Sequence, residues 1–276
     1  MNTIPRSEHP KPQFQRDSWM NLNGLWAFEI DNGRSGKARG LSAADAQLSS
    51  QILVPFCPQS ELSGVNHKDF LYGVWYRRTV DLTKEQLSGR VVLHFGAVDY
   101  HCEAFVNGVS VGTHTGGYVS FCFDVTEAVR EGENVLTVYA EDDERDPLIP
   151  RGKQSELFYS HGCDYTRTTG IWQTVWMEFL PETHIEKIKI FPNVETGSFD
   201  VEALLKGAGT LAVEASYEGR PMGAASVKAD GGLVRLHLPL QETHMWELGC
   251  GRLYDLKLTY GADTVQSYAG LRSVRL

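Results

Sequence analysis

One segment of the 276-residue sequence matches a motif of nucleophilic catalysis. Residues 108–112 read Gly-Val-Ser-Val-Gly, the G-x-S-x-G pattern that exposes a serine on a strand–turn–helix elbow. The match overlaps Asn107-Gly108, a dipeptide typical of a two-residue β-hairpin turn. The valines beside Ser110 continue a strand after that turn. We therefore expect a hairpin, and no catalytic role for Ser110.

Patterns for phosphate or metal binding are weak. Residues 206–210 (Lys-Gly-Ala-Gly-Thr) lack the Lys-Ser/Thr that ends a phosphate loop and precede a strand-like stretch. The five cysteines form no C-x-x-C pair, and the nine histidines form no H-E-x-x-H. We predict no cofactor and no metal site. The cysteines are odd in number and widely spaced, which favours free thiols over disulfides. Free thiols are typical of a reducing compartment, and we expect the cytoplasm.

A long polar segment is the strongest candidate for a functional loop. Residues 141–169 carry no strand pattern and begin with the charged run EDDERDP. Loops of this length inside a domain are usually functional or disordered. The aromatics Phe158, Tyr159 and Tyr165 favour an ordered loop.

Most of the remaining sequence alternates with a period of two, as half-buried strands do. Helical signals are scarce: residues 43–50 are weakly helical, and 126–130 could form one turn. Many short strands with Gly/Pro turns predict an all-β protein. The predicted strands in the first part of the chain are 24–30, 74–80, 90–95, 101–106, 109–114, 135–140 and 172–180.

Length and a change of pattern predict two domains, with a boundary at Pro181-Glu182-Thr183. Residues 1–182 form the first. Residues 183–276 alternate more cleanly, and about six or seven strands there suit an immunoglobulin-like β-sandwich.

Charge and hydropathy exclude several partners. The net charge is −9, and clustered Lys and Arg are absent, so we expect neither nucleic acid nor an anionic membrane as a partner. No apolar run reaches the ~18 residues of a membrane span. The first residues lack the apolar region of a signal peptide.

Several short segments form an ordered set along the chain. The segments are Trp75-Tyr76-Arg77-Arg78, Phe95-Gly96-Ala97-Val98-Asp99-Tyr100, Val106-Asn107-Gly108, 111–118 with Phe121, Asp124-Val125-Thr126, Arg151-Gly152-Lys153-Gln154, Gly170-Ile171-Trp172-Gln173, Leu253-Tyr254 and Gly270-Leu271-Arg272. Each segment is weak alone, but the ordered set is specific. It resembles the N-terminal part of glycoside hydrolase family 2, which contains β-galactosidases, β-glucuronidases and β-mannosidases.

The resemblance implies a fold that agrees with the alternation. Residues 1–182 are expected to form a jelly-roll, galactose-binding-domain-like β-sandwich, followed by the immunoglobulin-like sandwich. In the family, a (β/α)₈ barrel follows and carries the two catalytic carboxylates. Such a barrel needs roughly 250 residues, and this sequence contains no Asn-Glu dipeptide, the pair that carries the family's acid/base glutamate. We therefore expect no catalytic residue and no enzymatic activity in this chain by itself.

The resemblance also implies a substrate-binding role for the long loop. In β-galactosidase-like and β-glucuronidase-like members, a jelly-roll loop reaches the barrel's active site and ends in an Asp shortly before Gly-Ile. Asp164 matches that position, and a carboxylate accepts hydrogen bonds from sugar hydroxyls. Asp164 and Arg167 are the predicted substrate-binding residues. A local ion pair between these two residues is the structural alternative.

Three functional hypotheses follow. The first is a non-catalytic piece of a family 2 glycosidase acting on β-linked sugars, which scaffolds the barrel and completes the substrate site. The resemblance favours β-galactosides as the substrate class. The second is a stand-alone carbohydrate-binding module. The third is a structural or adhesive pair of sandwiches. Without a barrel against it, we expect the loop to expose Leu148, Ile149, Phe158 and Tyr159, either as a mobile segment or against another copy in a homo-oligomer.

Overall fold

The computed structural model describes residues 4–274, which form two compact units. The first unit takes in residues 4–10 and 19–179, and the second takes in 11–18 and 180–274. The described residues contain strands, turns and one 3₁₀ turn at Glu61–Ser63, and no α-helix. None of their helical segments is long and apolar enough to span a membrane.

The first unit is a jelly-roll β-sandwich. The strands are β1 (Trp19–Asn21), β2 (Gly24–Ile30), β3 (Ser50–Val54), β4 (Gly73–Leu82), β5 (Arg90–Phe95), β6 (Val98–Asp99), β7 (His101–Val106), β8 (Val109–Thr115), β9 (Phe121–Asp124), β10 (Gly132–Glu141), β11 (Gly170–Ile171) and β12 (Val175–Leu180). A six-stranded sheet has the order β3-β2-β4-β10-β7-β8, a four-stranded sheet has the order β1-β12-β5-β9, and β11 pairs with β6.

Alternation along these strands builds the core. Tyr76 on β4 is fully buried in a large apolar cluster with side chains from both sheets, such as Phe28 and Phe95. Its neighbour Trp75 points to the other face of the strand and stacks on Tyr139 in a smaller cluster. Successive strand residues face opposite sides of a sheet, and here both sides are covered.

The predicted hairpin between β7 and β8 is confirmed. Asn107 and Gly108 have φ values of 52° and 83°, as a type I′ turn requires. The weak helix predicted at 43–50 is wrong, because these residues form turns and then β3 begins at Ser50. The carbonyl of Ala43 accepts hydrogen bonds from the Arg77 guanidinium (3.0 Å) and from the N–H of Ala46 (3.1 Å), and the bond between residues three apart is that of a turn.

The second unit is an immunoglobulin-like sandwich of a three-stranded and a four-stranded sheet. Its strands are β13 (His184–Asn193), β14 (Ser198–Lys206), β15 (Gly209–Tyr217), β16 (Arg220–Ala229), β17 (Gly232–Pro239), β18 (Tyr254–Tyr260) and β19 (Asp263–Ala269). The sheet orders are β13-β14-β17 and β16-β15-β18-β19. In β18, Tyr254, Leu256 and Leu258 are buried while Asp255 and Lys257 are exposed.

A buried ion pair holds segment 11–18 in this second unit. The Nε and Nη2 atoms of Arg16 donate to the two oxygens of Asp263, each at 2.8 Å. Asp263 also accepts the backbone N–H of Ile185. Both charged side chains are almost fully buried, so each depends on the other for solvation. The all-β fold class, a jelly roll followed by an immunoglobulin-like sandwich, is as predicted. The predicted boundary after residue 182 stays a prediction.

Candidate functional site

The 142–169 loop connects β10 to β11 in the first unit and contains no strand. Isolated bridges join Gln154 to Tyr165 and His161 to Asp164, so the loop folds back on itself twice. Its shape depends on side-chain hydrogen bonds, which fall into three groups: around Arg167, around a set of buried carboxylates, and around Asp164.

Arg167 is buried beneath the loop, with 1% of its surface exposed. Its guanidinium donates to the carbonyls of Ser155, Leu157 and Lys68. It also lies over the ring of Phe70, 4.1 Å from the centroid. Arginine has N–H donors in a planar fork, and here Nη1 and Nη2 join two backbone segments, 155–157 and Lys68. In this structure Arg167 positions the loop, and direct substrate binding by Arg167 stays a prediction.

Asp164 lies at a tight turn and its side chain is 26% exposed. Its charged neighbour is His161, whose Nε2 atom lies 3.6 Å from Asp164 Oδ2. The local alternative, an ion pair of Asp164 with Arg167, is not what the structure shows, because Arg167 is turned toward backbone carbonyls below the loop. A carboxylate with this exposure can accept hydrogen bonds from a ligand.

Three acidic side chains are buried beneath the ends of the loop. Asp99, Asp142 and Glu144 are each at most 3% exposed. Burial raises the pKa of Asp99 to about 6, and the hydrogen bond from Gln154, which lowers the pKa, offsets only part of this effect. Burial, with repulsion from Glu144 and Asp99, raises the pKa of Asp142 to about 8. Near neutral pH the group therefore retains a proton at Asp142.

Hydrogen bonds connect Asp99 and Glu144 to residues in the middle and at the end of the loop. The Gln154 amide donates to Asp99 (2.7 Å) and to the Tyr118 hydroxyl (3.2 Å), while its carbonyl accepts the N–H of Thr168 (2.5 Å). Thr169 donates through Oγ1 to Glu144 (3.3 Å). Burial raises the pKa of Glu144 as well. The loop is thus tied to buried acids near its middle and at its end.

Glycine permits the close packing around Asp99. A Cβ atom on Gly117 would lie 2.0 Å from Asp99 Oδ1, far inside van der Waals contact. The carbonyl of Gly117 accepts a hydrogen bond from the Trp172 indole at 2.8 Å. The absence of a side chain at Gly117 therefore lets the chain pass over a buried carboxyl group.

Apolar side chains lie on the outside of the loop. Leu148 is 86% exposed, and Phe158, Tyr159 and Tyr165 are each more than 60% exposed. The expected exposure is confirmed for Leu148, Phe158 and Tyr159, whereas Ile149 is half-buried. The ring of Tyr159 lies edge-on to that of His161, with 6.2 Å between centroids, and exposed aromatic rings can pack against apolar faces of a ligand.

Ser110 has no catalytic environment. It lies on β8, and its hydroxyl donates to Glu103 at 2.7 Å on the neighbouring strand. No helix follows it in the described chain, so the nucleophile elbow is absent there.

The sequence did not reveal the buried acids or the neighbours of Asp164. The run EDDERDP has the composition of a solvated surface, and only the alternation of Asp142 and Glu144 with less buried neighbours could have indicated otherwise. Glu156 and His161 lie close to Asp164. The spacing of His161 and Asp164, three residues apart, was the available signal.

Comparison with known proteins identifies the family. A model of the sugar binding domain of family 2 glycosyl hydrolases matches residues 19–181. The chain therefore belongs to glycoside hydrolase family 2.

Individual relatives are glycosidases. A putative β-glucuronidase of Formosa agariphila is 24% identical over 280 residues, which cover 96% of this chain and 32% of that protein. A β-galactosidase of Thermoanaerobacter pseudethanolicus is 32% identical over 123 residues, covering 44% of this chain and 16% of that protein.

Solved structures share the fold. A β-glucuronidase from Ruminococcus gnavus in complex with D-glucuronic acid superposes with a TM-score of 0.75 at 20% identity. The match covers 95% of this chain and 47% of that one. The chain spans less than half the length of each of these relatives.

Proposed function

We propose that this chain is the non-catalytic, substrate-positioning part of a family 2 glycosidase that acts on β-linked sugars. It holds Asp164 at the edge of a substrate site whose catalytic carboxylates lie on a barrel elsewhere in the longer protein. The observation that carries the proposal is a partly exposed carboxylate on a loop held by buried side chains, within a domain that matches the family's sugar-binding model.

The geometry of the loop supports this role. A recognition residue must be held in place before the ligand arrives, since ordering it on binding costs affinity. Arg167 holds the loop from below, and Gln154 ties it to Asp99. Asp164 is then free to accept hydrogen bonds from two neighbouring hydroxyl groups of a sugar.

The relatives divide between two substrate classes. The names of those cited here include both β-glucuronidase and β-galactosidase. We propose a β-galactoside or a β-glucuronide as the substrate of the longer protein. Cytoplasmic location and homo-oligomer formation stay predictions.

The test is kinetic and uses the longer protein. Asp164→Ala should lower kcat/KM by about 10- to 100-fold, because it removes a hydrogen bond to a charged acceptor worth roughly 1.5–3 kcal/mol. Asp146→Ala, on the same loop, is the matched control and should leave kcat/KM unchanged. Equal kinetics for wild type and Asp164→Ala would refute the role of Asp164.

A second experiment tests the stand-alone binding module. This chain should not hydrolyse nitrophenyl β-galactoside or β-glucuronide, and calorimetry should find sugar affinities no tighter than about millimolar, roughly −4 kcal/mol. Such weak binding is expected because a partial site leaves most of the sugar in water. Micromolar binding of galactose or glucuronate would favour the module instead.

A further inference from the structure

A two-residue turn brings His161 and Asp164 to the same side of the loop. The N–H of Asp164 donates to the carbonyl of His161 at 2.8 Å, and the N–H of His161 donates back at 3.2 Å. Gly162, inside the turn, has a φ of 53°, which suits glycine. Residues paired across such a turn place their side chains side by side, so the 3.6 Å separation of Nε2 and Oδ2 is fixed by the backbone.

Glu156 completes a group of three potential metal ligands. One ligand atom each from Glu156, His161 and Asp164 lie within 4.8 Å of one another. Arg151 contacts one oxygen of Glu156 at 2.9 Å, and a carboxylate has a second oxygen to offer. No other group of three such residues meets this separation within residues 4–274.

Ser155 determines which nitrogen of His161 carries the proton. The buried Ser155 hydroxyl lies 2.8 Å from the carbonyl of Tyr159, which can only accept, so the hydroxyl proton goes there. Ser155 Oγ accepts the N–H of Leu157 (3.1 Å). Its remaining lone pair faces His161 Nδ1 at 3.1 Å, so Nδ1 carries the proton.

When Nδ1 of His161 donates to Ser155, the lone pair that a metal ion would take is on Nε2, the atom that faces Asp164 Oδ2. A metal ion between Nε2 and Oδ2 would bind both atoms. Two ligands of a tetrahedral zinc ion are about 3.4 Å apart for bonds near 2.1 Å, close to the separation that the turn sets. A ligating histidine usually donates its other N–H to a fixed acceptor, which is the role of Ser155 here.

We propose that Glu156, His161 and Asp164 form a binding site for a divalent transition-metal ion, with Zn²⁺ as the preferred ion. One imidazole and two carboxylates suit Zn²⁺ better than Mg²⁺ or Ca²⁺, which favour oxygen ligands alone. The side chain of Glu156 is 40% exposed, so it can rotate to bring its carboxylate to the metal ion as the third ligand. The fourth coordination position of a tetrahedral ion would be filled by water or by another ligand.

The test is direct metal binding by the chain, measured by competition with a fluorescent zinc chelator at pH 7.5. All proteins carry Cys163→Ser, because that exposed thiol lies 3.9 Å from Asp164 Oδ1 and could bind zinc by itself. We expect one Zn²⁺ per chain, and at least a tenfold loss of affinity in His161→Ala, Glu156→Gln and Asp164→Asn. Excess Mg²⁺ should not compete.

Matched controls come from a second exposed His–Asp pair. His237 Nδ1 lies 2.7 Å from Asp200 Oδ1, and that pair belongs to no group of three. His237→Ala should therefore leave zinc affinity unchanged. Ser155→Ala should weaken zinc binding by about 10- to 100-fold by releasing the orientation of His161, with circular dichroism to establish that the variant is folded. No binding, or binding that all three ligand variants retain, would overturn the proposal.

The zinc site does not depend on the proposed function, because its test uses no sugar. If both hold, Zn²⁺ covers the carboxylate proposed to bind substrate and lowers kcat/KM of the longer protein, and His161→Ala restores it. If zinc bound without changing the kinetics of the longer protein, the proposed metal site would stand, and the result would count against a role of Asp164 in sugar recognition.

Discussion

Gln154 and Asp99 are 55 residues apart in sequence, and a 2.7 Å hydrogen bond joins their side chains. The bond ties the long loop of the jelly roll to the short strand β6. Its acceptor belongs to a buried group in which Asp142 keeps a proton near neutral pH. The stability of the loop therefore depends on pH.

We expect the stability of the first unit to fall as pH rises. Asp142 has its pKa raised to about 8 in the folded chain from an ordinary value of 3.8, so between these values the folded state holds more protons than the unfolded one. The free energy of unfolding then decreases with rising pH across this window. Asp142→Asn mimics the protonated acid. At pH 8.5 it should raise the melting temperature by roughly 2–8 °C, for a gain of about 1–2 kcal/mol.

Asp143→Asn is the matched control, since this neighbouring carboxylate is only partly buried. At pH 8.5 its effect on the melting temperature should be small beside that of Asp142→Asn. If Asp142→Asn melted lower than wild type at pH 8.5, the neutral state of Asp142 would be disproved.

Gly117→Ala should destabilise the first unit. Its Cβ would meet Asp99 Oδ1 at 2.0 Å, and overpacking of this kind costs about 1–3 kcal/mol. Gly33→Ala is the control, because a Cβ there meets nothing within 4 Å. Differential scanning calorimetry of both variants measures the effect, and equal melting temperatures would contradict the close packing.

Arg167→Met should loosen the 142–169 loop. The variant retains an apolar side chain against Phe70 and loses every donor to the backbone carbonyls of Ser155, Leu157 and Lys68. Limited proteolysis should then cut within the loop faster, since its opening needs less free energy. The exposed Lys153→Met controls for loss of positive charge, and equal cleavage rates in the two variants would argue against Arg167 as the residue that positions the loop.

Arg16→Ala should destabilise the second unit by about 3–5 kcal/mol, because it leaves Asp263 buried without its partner. Arg235→Ala removes an exposed ion pair with Glu202 at 2.9 Å and should cost less than about 1 kcal/mol. Urea unfolding of each variant gives the comparison. Similar losses for both would mean that burial of the Arg16–Asp263 pair has no energetic role.

Local patterns predicted most of the strands because their side chains obey a local rule. The alternation at 24–30 and the turn at Asn107-Gly108 depend on neighbours in sequence, and the structure has β2 at Gly24–Ile30 and a hairpin at that turn. The path of segment 11–18 could not be predicted, since Arg16 meets a carboxylate 247 residues away.

The candidate site was predictable only in outline. Asp164 was found through the family resemblance, and the loop through its lack of alternation. The contacts of Arg167 were not predictable, because its acceptors are backbone carbonyls, which every sequence possesses. The burial of Asp142 and Glu144 depends on the fold that surrounds them, whereas the charged sequence around them is typical of a solvent-exposed segment.

The path of residues 11–18 has a consequence for gene architecture. The immunoglobulin-like unit is discontinuous, since Arg16 precedes residues 19–179 of the jelly-roll unit and Asp263 follows them. Recombination at a single junction near residue 180 would transfer a sandwich that retains a buried acid and lacks its arginine. The two units are thus poor independent exchange modules, and shuffling that keeps 11–18 together with 180–274 requires two junctions or a circular permutation.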